Sequence, residues 1–108
     1  MRNEDMLHDA LSAVTNAYHL VLDGMPAEGA AYRFLNETRL YESDVVIAAT
    51  EHFQVYVYRK EYSAELIDKL MQGLRDAGFA VQLGGQSMEE DYYRDEIRAS
   101  KLKEGNDE

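Results

Sequence analysis

The side chains in this chain that could do chemistry are few and scattered. His8, His19 and His52 are its three histidines, and none has another at the three- to five-residue spacing of a metal-binding pair. They are expected at ordinary surface or edge positions, with His8 on the polar side of its helix. Carboxylates run together at Glu89, Glu90 and Asp91. A protonated acid beside an ionised base can catalyse hydrolysis, but an acidic run reads first as solvated surface. Ser63 lacks the Gly-x-Ser-x-Gly setting of a nucleophile elbow and stands where a helix N-cap belongs. "LGGQS", Leu83 to Ser87, lacks the lysine of a phosphate-binding loop and leads into a loop rather than a helix. "VYVYRKEY" interleaves aromatics with Arg59 and Lys60, a pattern used on single-stranded nucleic acid. Two basic residues in an acidic domain make a weak electrostatic footprint. No catalytic residue, cofactor site or metal site is expected, and the chain is read as working by shape.

The totals narrow the classes further. Its 108 residues are the size of one domain, and 45% hydrophobic with 10% aromatic residues suffices for a modest core. The absence of cysteine removes disulfide scaffolds, thiolate zinc sites and cysteine nucleophiles together. No apolar run approaches the roughly 20 residues of a membrane helix, and the acidic "MRNEDMLHDA" does not read as a secretory leader. A soluble, cytosolic chain is expected. Eleven Lys and Arg stand against 21 Asp and Glu, a formal net charge of −10. Counterion release from phosphates, which drives nucleic-acid binding, needs the opposite sign.

The elements that must position these residues follow from periodicity. Met6, Leu7, Ala10, Leu11 and Val14 recur at helical spacing from Glu4 to about Asn16, with Asn3 as cap. The stripe could continue through Ala17, Tyr18 and Val21, although "YHLVL" also suits a short strand. "DGMPAEGA", Asp23 to Ala30, reads as a loop. "AYRFLNETRLY" reads as a strand with Tyr32, Phe34 and Leu40 in one phase and Leu35 and Tyr41 in the other. A turn at Glu42–Asp44 follows, and "VVIAA" reads as a short strand leading to the next. In "HFQVYVYRK" Phe53, Val55 and Val57 share one face, and Gln54, Tyr56 and Tyr58 the other. A second helix over about 63–77 carries Leu66, Ile67, Leu70, Met71 and Leu74, with Gly78 as its left-handed cap. A strand through Phe79, Val81 and Leu83 ends at Gly84–Gly85. After the acidic "SMEED" loop a last strand spans about Tyr92 to Ala99, with Tyr93, Ile97 and Ala99 on one face. This predicts one α+β domain over 1–100, a small mixed or antiparallel sheet with both helices on one face. Residues 101–108 are expected as a charged, frayed tail.

"LYESDVVIAATEHFQVYVYRKEYSAELIDKLMQGLRDAGFAV" followed by "EEDYYRDEIRAS" resembles the tail-terminator and tail-completion proteins of long-tailed bacteriophages. An acidic turn precedes a strand ending in Tyr-x-basic, then an acidic cap region and an amphipathic helix ending in "AGF". "NAYHLVLDGMPAEGAAYRFL" fits the entry segment with its proline loop. The resemblance covers roughly Ala17 to Ser100 and rests on packing patterns. "YYRDEIRAS" departs from it in carrying more charge than the largely apolar closing strand of the family. The resemblance implies a non-enzymatic virion protein made in the host cytoplasm and located at the head–tail interface. It implies a ring, expected as a hexamer, on the tail tube protein and beneath the head–tail connector proteins. A neighbouring adaptor or stopper role, or another small binding module, is the alternative. DNA would pass the lumen without specific binding, and inward carboxylates would repel its phosphates.

Subunit or tube contacts are expected at Tyr56 and Tyr58, or at the loops Asp23–Gly29 and Ser87–Asp91 through Asp23, Met25, Glu28, Glu89, Glu90 and Asp91. Tyrosine serves either purpose, since its ring packs and its hydroxyl stays wet. The tyrosine face packing within its own domain is the competing reading.

Overall fold

Alternation in "HFQVYVYR" turns Phe53, Val55 and Val57 to one side of a strand, and that strand is the centre of the molecule. In the computed structural model, which describes residues 1–20 and 26–103, it runs as β3 from Val45 to Arg59. Before it come α1 (Asn3–Ser12), β1 (Ala17–His19) and β2 (Glu28–Glu42); after it come α2 (Ala64–Asp76), β4 (Ala80–Glu89) and β5 (Tyr92–Leu102). One sheet of order β1-β2-β3-β5-β4 results. Short β1 is parallel to β2, so Ala17, Tyr18 and His19 form a strand and do not continue the helix, and the other pairs are antiparallel. The architecture is α+β, two helices over a small mixed sheet.

The helix-side face holds the core. Phe53, Val55 and Val57 meet Leu7 and Leu11 of α1, Leu66, Ile67, Leu70 and Leu74 of α2, and Ile97 and Ala99 of β5. Each fully buried aliphatic side chain contributes about 1.5–3 kcal/mol, and Leu70→Ala would remove about 2–5 kcal/mol. Gly78 closes α2 with φ 96°, and Phe79 N–H donates to Leu74 O at 3.0 Å. Ser63 takes the extended N-cap conformation (φ −152°, ψ 111°) but makes no side-chain cap bond.

Several boundaries move for identifiable reasons. Asn3 is not a cap but the first residue of α1, buried, its Nδ2 donating to Glu51 Oε1 and Leu102 O at 3.0 Å each. That amide ties the helix to the middle of β3 and the end of β5. The helix stops at Ser12, short of Asn16, where Ser12 Oγ bonds back to His8 O (2.7 Å), a contact that weakens a helix. Thr15 and Asn16 then turn to β2: Thr15 Oγ1 donates to Glu28 Oε2 at 3.0 Å and Ala30 N to Asn16 O at 2.8 Å. β4 does not end at Gly84–Gly85 but bulges there and resumes with Gln86 opposite Asp95. A Cβ at Gly84 would lie 2.9 Å from Glu96 Oε1, so glycine is what lets the strand pass. The expected loop at Ser87–Asp91 therefore shrinks to a turn at Glu90–Asp91, with φ 55° at Glu90. Lys101 and Leu102, placed in the tail by the sequence, end β5, and Lys103 N donates to Ala49 O at 2.8 Å.

Candidate assembly interface

β2 and β3 are 15 residues each, and β5 accompanies β3 only from Arg59 to Thr50. From Thr38 to Thr50 the two strands run on as a hairpin arm, which stretches the domain to 51 × 24 × 23 Å. Ser43 and Asp44 form its tip, both left-handed (φ 51° and 67°), the conformation of a type I′ hairpin turn.

Two bulges set what the arm presents. Leu35 is the extra residue between Phe34 and Asn36, and Ile47 the extra residue opposite the Leu40–Tyr41 step. The bulge at Leu35 reverses the phase of everything beyond it. Tyr41, not Leu40, therefore shares the helix-side face with Tyr32 and Phe34. Leu40 pairs with Ala48 on one face and Tyr41 with Val46 on the other, so both faces are apolar. Leu40 (60% exposed), Tyr41 (55%), Val45 (61%), Val46 (45%) and Ile47 (54%) are uncovered. Five large side chains about half exposed offer on the order of 450 Å², the size of a functional patch. An isolated two-stranded ribbon is marginal in water. At the arm's base Glu37 bonds Arg39 and lies 3.7 Å from Lys103 Nζ. The hydrogen bond from Arg39 holds the Glu37 carboxyl below its ordinary range.

The sheet face away from the helices is polar and tied together. Arg33 Nε donates to Gln54 Oε1 (2.8 Å), and Gln54 Nε2 donates to Glu96 Oε2 (2.6 Å), which also accepts from Arg98. The Gln54 bond, then that of Arg98, lowers the Glu96 pKa. Arg94 lies 4.7 Å from the Tyr56 ring centroid and donates to Glu89 Oε2 at 2.6 Å. Its pKa is raised chiefly by the Tyr58 hydroxyl. Tyr58 meets Tyr56 at 6.3 Å and Tyr92 edge-on at 5.9 Å.

The structure thus brings Tyr56, Tyr58 and Glu89 together around Arg94, where the tyrosines are half-buried by their own sheet. Glu28, at the start of β2, and the turn residues Glu90 and Asp91 lie at the same end, where Tyr92 OH donates to Pro26 O (2.8 Å). That end is opposite the arm. Asp23 and Met25 lie outside the described residues. The arm was missed because "VVIAA" reads as an ordinary buried strand; the signal available was an apolar run with no matching partner run.

Two further constellations join residues too far apart for spacing to reveal. His52 Nδ1 is 2.7 Å from Ser100 Oγ, and its Nε2 is 2.8 Å from Thr38 Oγ1, beside a depression of about 360 Å³ lined by Leu35, Phe53, Gln82 and Arg98. A serine–histidine pair invites a hydrolytic reading. Yet hydroxyls occupy both ring nitrogens, so no carboxylate orients the ring or balances an imidazolium. Arg59 and Asp95 form a buried ion pair at 3.3 Å, with side chains 2% and 3% exposed. Gln86 Nε2 donates to both Asp95 oxygens (3.1 and 3.0 Å), while Arg59 Nε and Nη2 have no partner. His8, expected on a polar face, is half-buried with Nδ1 2.9 Å from the Tyr32 hydroxyl.

Among the described residues no group of three acidic or histidine side chains could hold a metal ion, and no helix is long and apolar enough to cross a membrane. Comparison with protein-family models and with curated proteins found no match.

Proposed function

We propose that this chain is a non-enzymatic structural subunit that assembles head to tail with copies of itself. Its role is that of a tail-terminator or tail-completion ring, a hexamer, at the head-proximal end of a long-tailed phage tail. The ring stops tube polymerisation and joins the tail to the head connector. The observation that carries the reading is the arm, apolar on both faces and uncovered by its own domain. A ribbon of that kind is stable when a second surface closes over it, and a heterologous contact repeated by rotation closes into a ring. The packing resemblance in the sequence gives the ring its place in the virion.

The charge supports a channel through which DNA slides without sticking. Acid excess lies on the helix layer, where Glu4, Asp5, Asp9, Glu65, Asp68 and Asp76 outnumber Lys69 and Arg75, whereas the opposite face mixes Arg33, Arg94 and Arg98 with Glu89 and Glu96. A carboxylate-lined lumen would have the helix layer inward. The test is addition of the purified chain to growing tail tubes, with tube length read by electron microscopy. Tubes arrested with a ring at one end are expected; tubes that elongate unchanged, with no bound chain, would refute the proposal.

A further inference from the structure

The open face of the sheet carries a depression of about 360 Å³ that runs from β2 across to β4. Asn36 of β2 lies beside His52 of β3, which lies beside Ser100 of β5, and one step along the strands Arg98 of β5 lies beside Gln82 of β4. Leu35, the extra residue of the β2 bulge, gives the depression an apolar wall. His52 holds Thr38 and Ser100 through its two ring nitrogens. The groups left for a guest are the amides of Asn36 and Gln82 and the guanidinium of Arg98, whose bond to Glu96 uses only Nε. That set suits a flat ring with a hydroxyl at its edge. A guanidinium packs on an aromatic face, and an amide carbonyl accepts from a phenol.

Charge points to the guest, and symmetry to the face it comes from. Arg33 and Arg98 flank Gln54 on the open sheet face, with Arg94 further along. The arm tip carries two exposed carboxylates, Glu42 and Asp44. Within the screening distance of about 8 Å the tip of one copy is therefore drawn to this face of another. A sixfold rotation turns any surface by at most about 60°. The helix-side face of one arm cannot then meet the outer helix surface of the next copy, which looks the same way to within that angle. It can meet the next copy's open sheet face, which looks the opposite way. Tyr41 is the exposed aromatic of the helix-side arm face (55%), and the depression of its own chain lies on the other side of the sheet. Resting on the ring reading, we infer that Tyr41 of one copy seats in the Asn36–Gln82–Arg98 depression of the next. Its ring lies against Arg98, its hydroxyl donates to an amide carbonyl, and the acidic tip stands among the arginines of that face.

Tyr41 replaced by p-benzoylphenylalanine keeps an aromatic ring on the arm and cross-links on irradiation. Cross-links between copies should map, by peptide mass spectrometry, to the segments around Asn36, Gln82 and Arg98. Gln82→Trp, at an exposed position on the wall, should fill the depression. Association in light scattering across a concentration series should then weaken on the order of tenfold, with urea unfolding unchanged. Cross-links to any other surface of the neighbouring copy, or association unaffected by Gln82→Trp, would overturn the docking and leave the ring standing. A chain that stays monomeric and uncross-linked with purified tail tubes present would overturn both.

Discussion

Replacing Tyr41 and Val46 together by serine should separate assembly from folding. The pair face each other across the arm and are 55% and 45% exposed. A tyrosine surface of about 200 Å² and a valine surface of about 115 Å² at those exposures leave roughly 160 Å² to cover. At about 25 cal/mol/Å² that is at most about 4 kcal/mol per contact. With half of it realised, each contact weakens by about 2 kcal/mol, or roughly thirtyfold. The isolated chain loses only a solvent-exposed cross-strand pair, about 0.2–1 kcal/mol. Sedimentation velocity across a concentration series reads the first quantity and urea unfolding of the monomer reads the second. Association at the wild-type midpoint would refute the reasoning. So would a monomer destabilised by more than about 2 kcal/mol, since the arm would then belong to the core of its own domain.

The buried ion pair makes a different prediction. Arg59→Met leaves Asp95 in the interior with only Gln86 donating to it and should cost about 3–5 kcal/mol in urea unfolding. Arg59→Met with Asp95→Leu should recover most of that loss, because Arg59 already carries two unpartnered nitrogens; a double variant no more stable than the single would sink the argument. Ser43→Asn with Asp44→Gly places residues suited to positive φ at the arm tip and should raise stability by about 1 kcal/mol, with slower amide exchange in the arm. Glu96 titrates below its ordinary value of 4.5 because Gln54 and Arg98 bond its ionised form. Its stabilisation is present above that value and is lost as pH falls through the lower folded pKa. Glu96→Gln should flatten this part of the acid decline in urea midpoints taken from about pH 6 to about pH 3.

What could be read in the sequence was burial within one chain. Leu66, Ile67, Leu70 and Leu74 are buried as their spacing requires, and Phe53, Val55 and Val57 face them. Gly78 takes the left-handed conformation its position demanded. The arm escaped for two physical reasons. A bulge adds one residue without changing composition, so the extra Leu35 made Leu40 look like the partner of Phe34 when Tyr41 fills that place. Val45, Val46 and Ile47 carry the composition of a buried strand, and composition is the same whether the covering surface belongs to this chain or to another. The His52–Ser100 and Arg59–Asp95 contacts join residues 48 and 36 apart, a proximity that only the β3–β5 pairing creates.

A bare apolar arm would ordinarily expose a chain to aggregation, and the net charge of −10 opposes it. Like charges slow every encounter between copies, but at physiological salt the repulsion decays over about 8 Å. Backbone pairing and apolar contact act well inside that distance. Repulsion therefore acts on all approaches alike, while a surface that covers the two apolar faces of the arm favours one of them. Carboxylates on the helices, at Glu4, Asp5, Asp9, Glu65, Asp68 and Asp76, give solubility and leave the arm tip apolar, as a subunit that must first remain single and then join its neighbours requires.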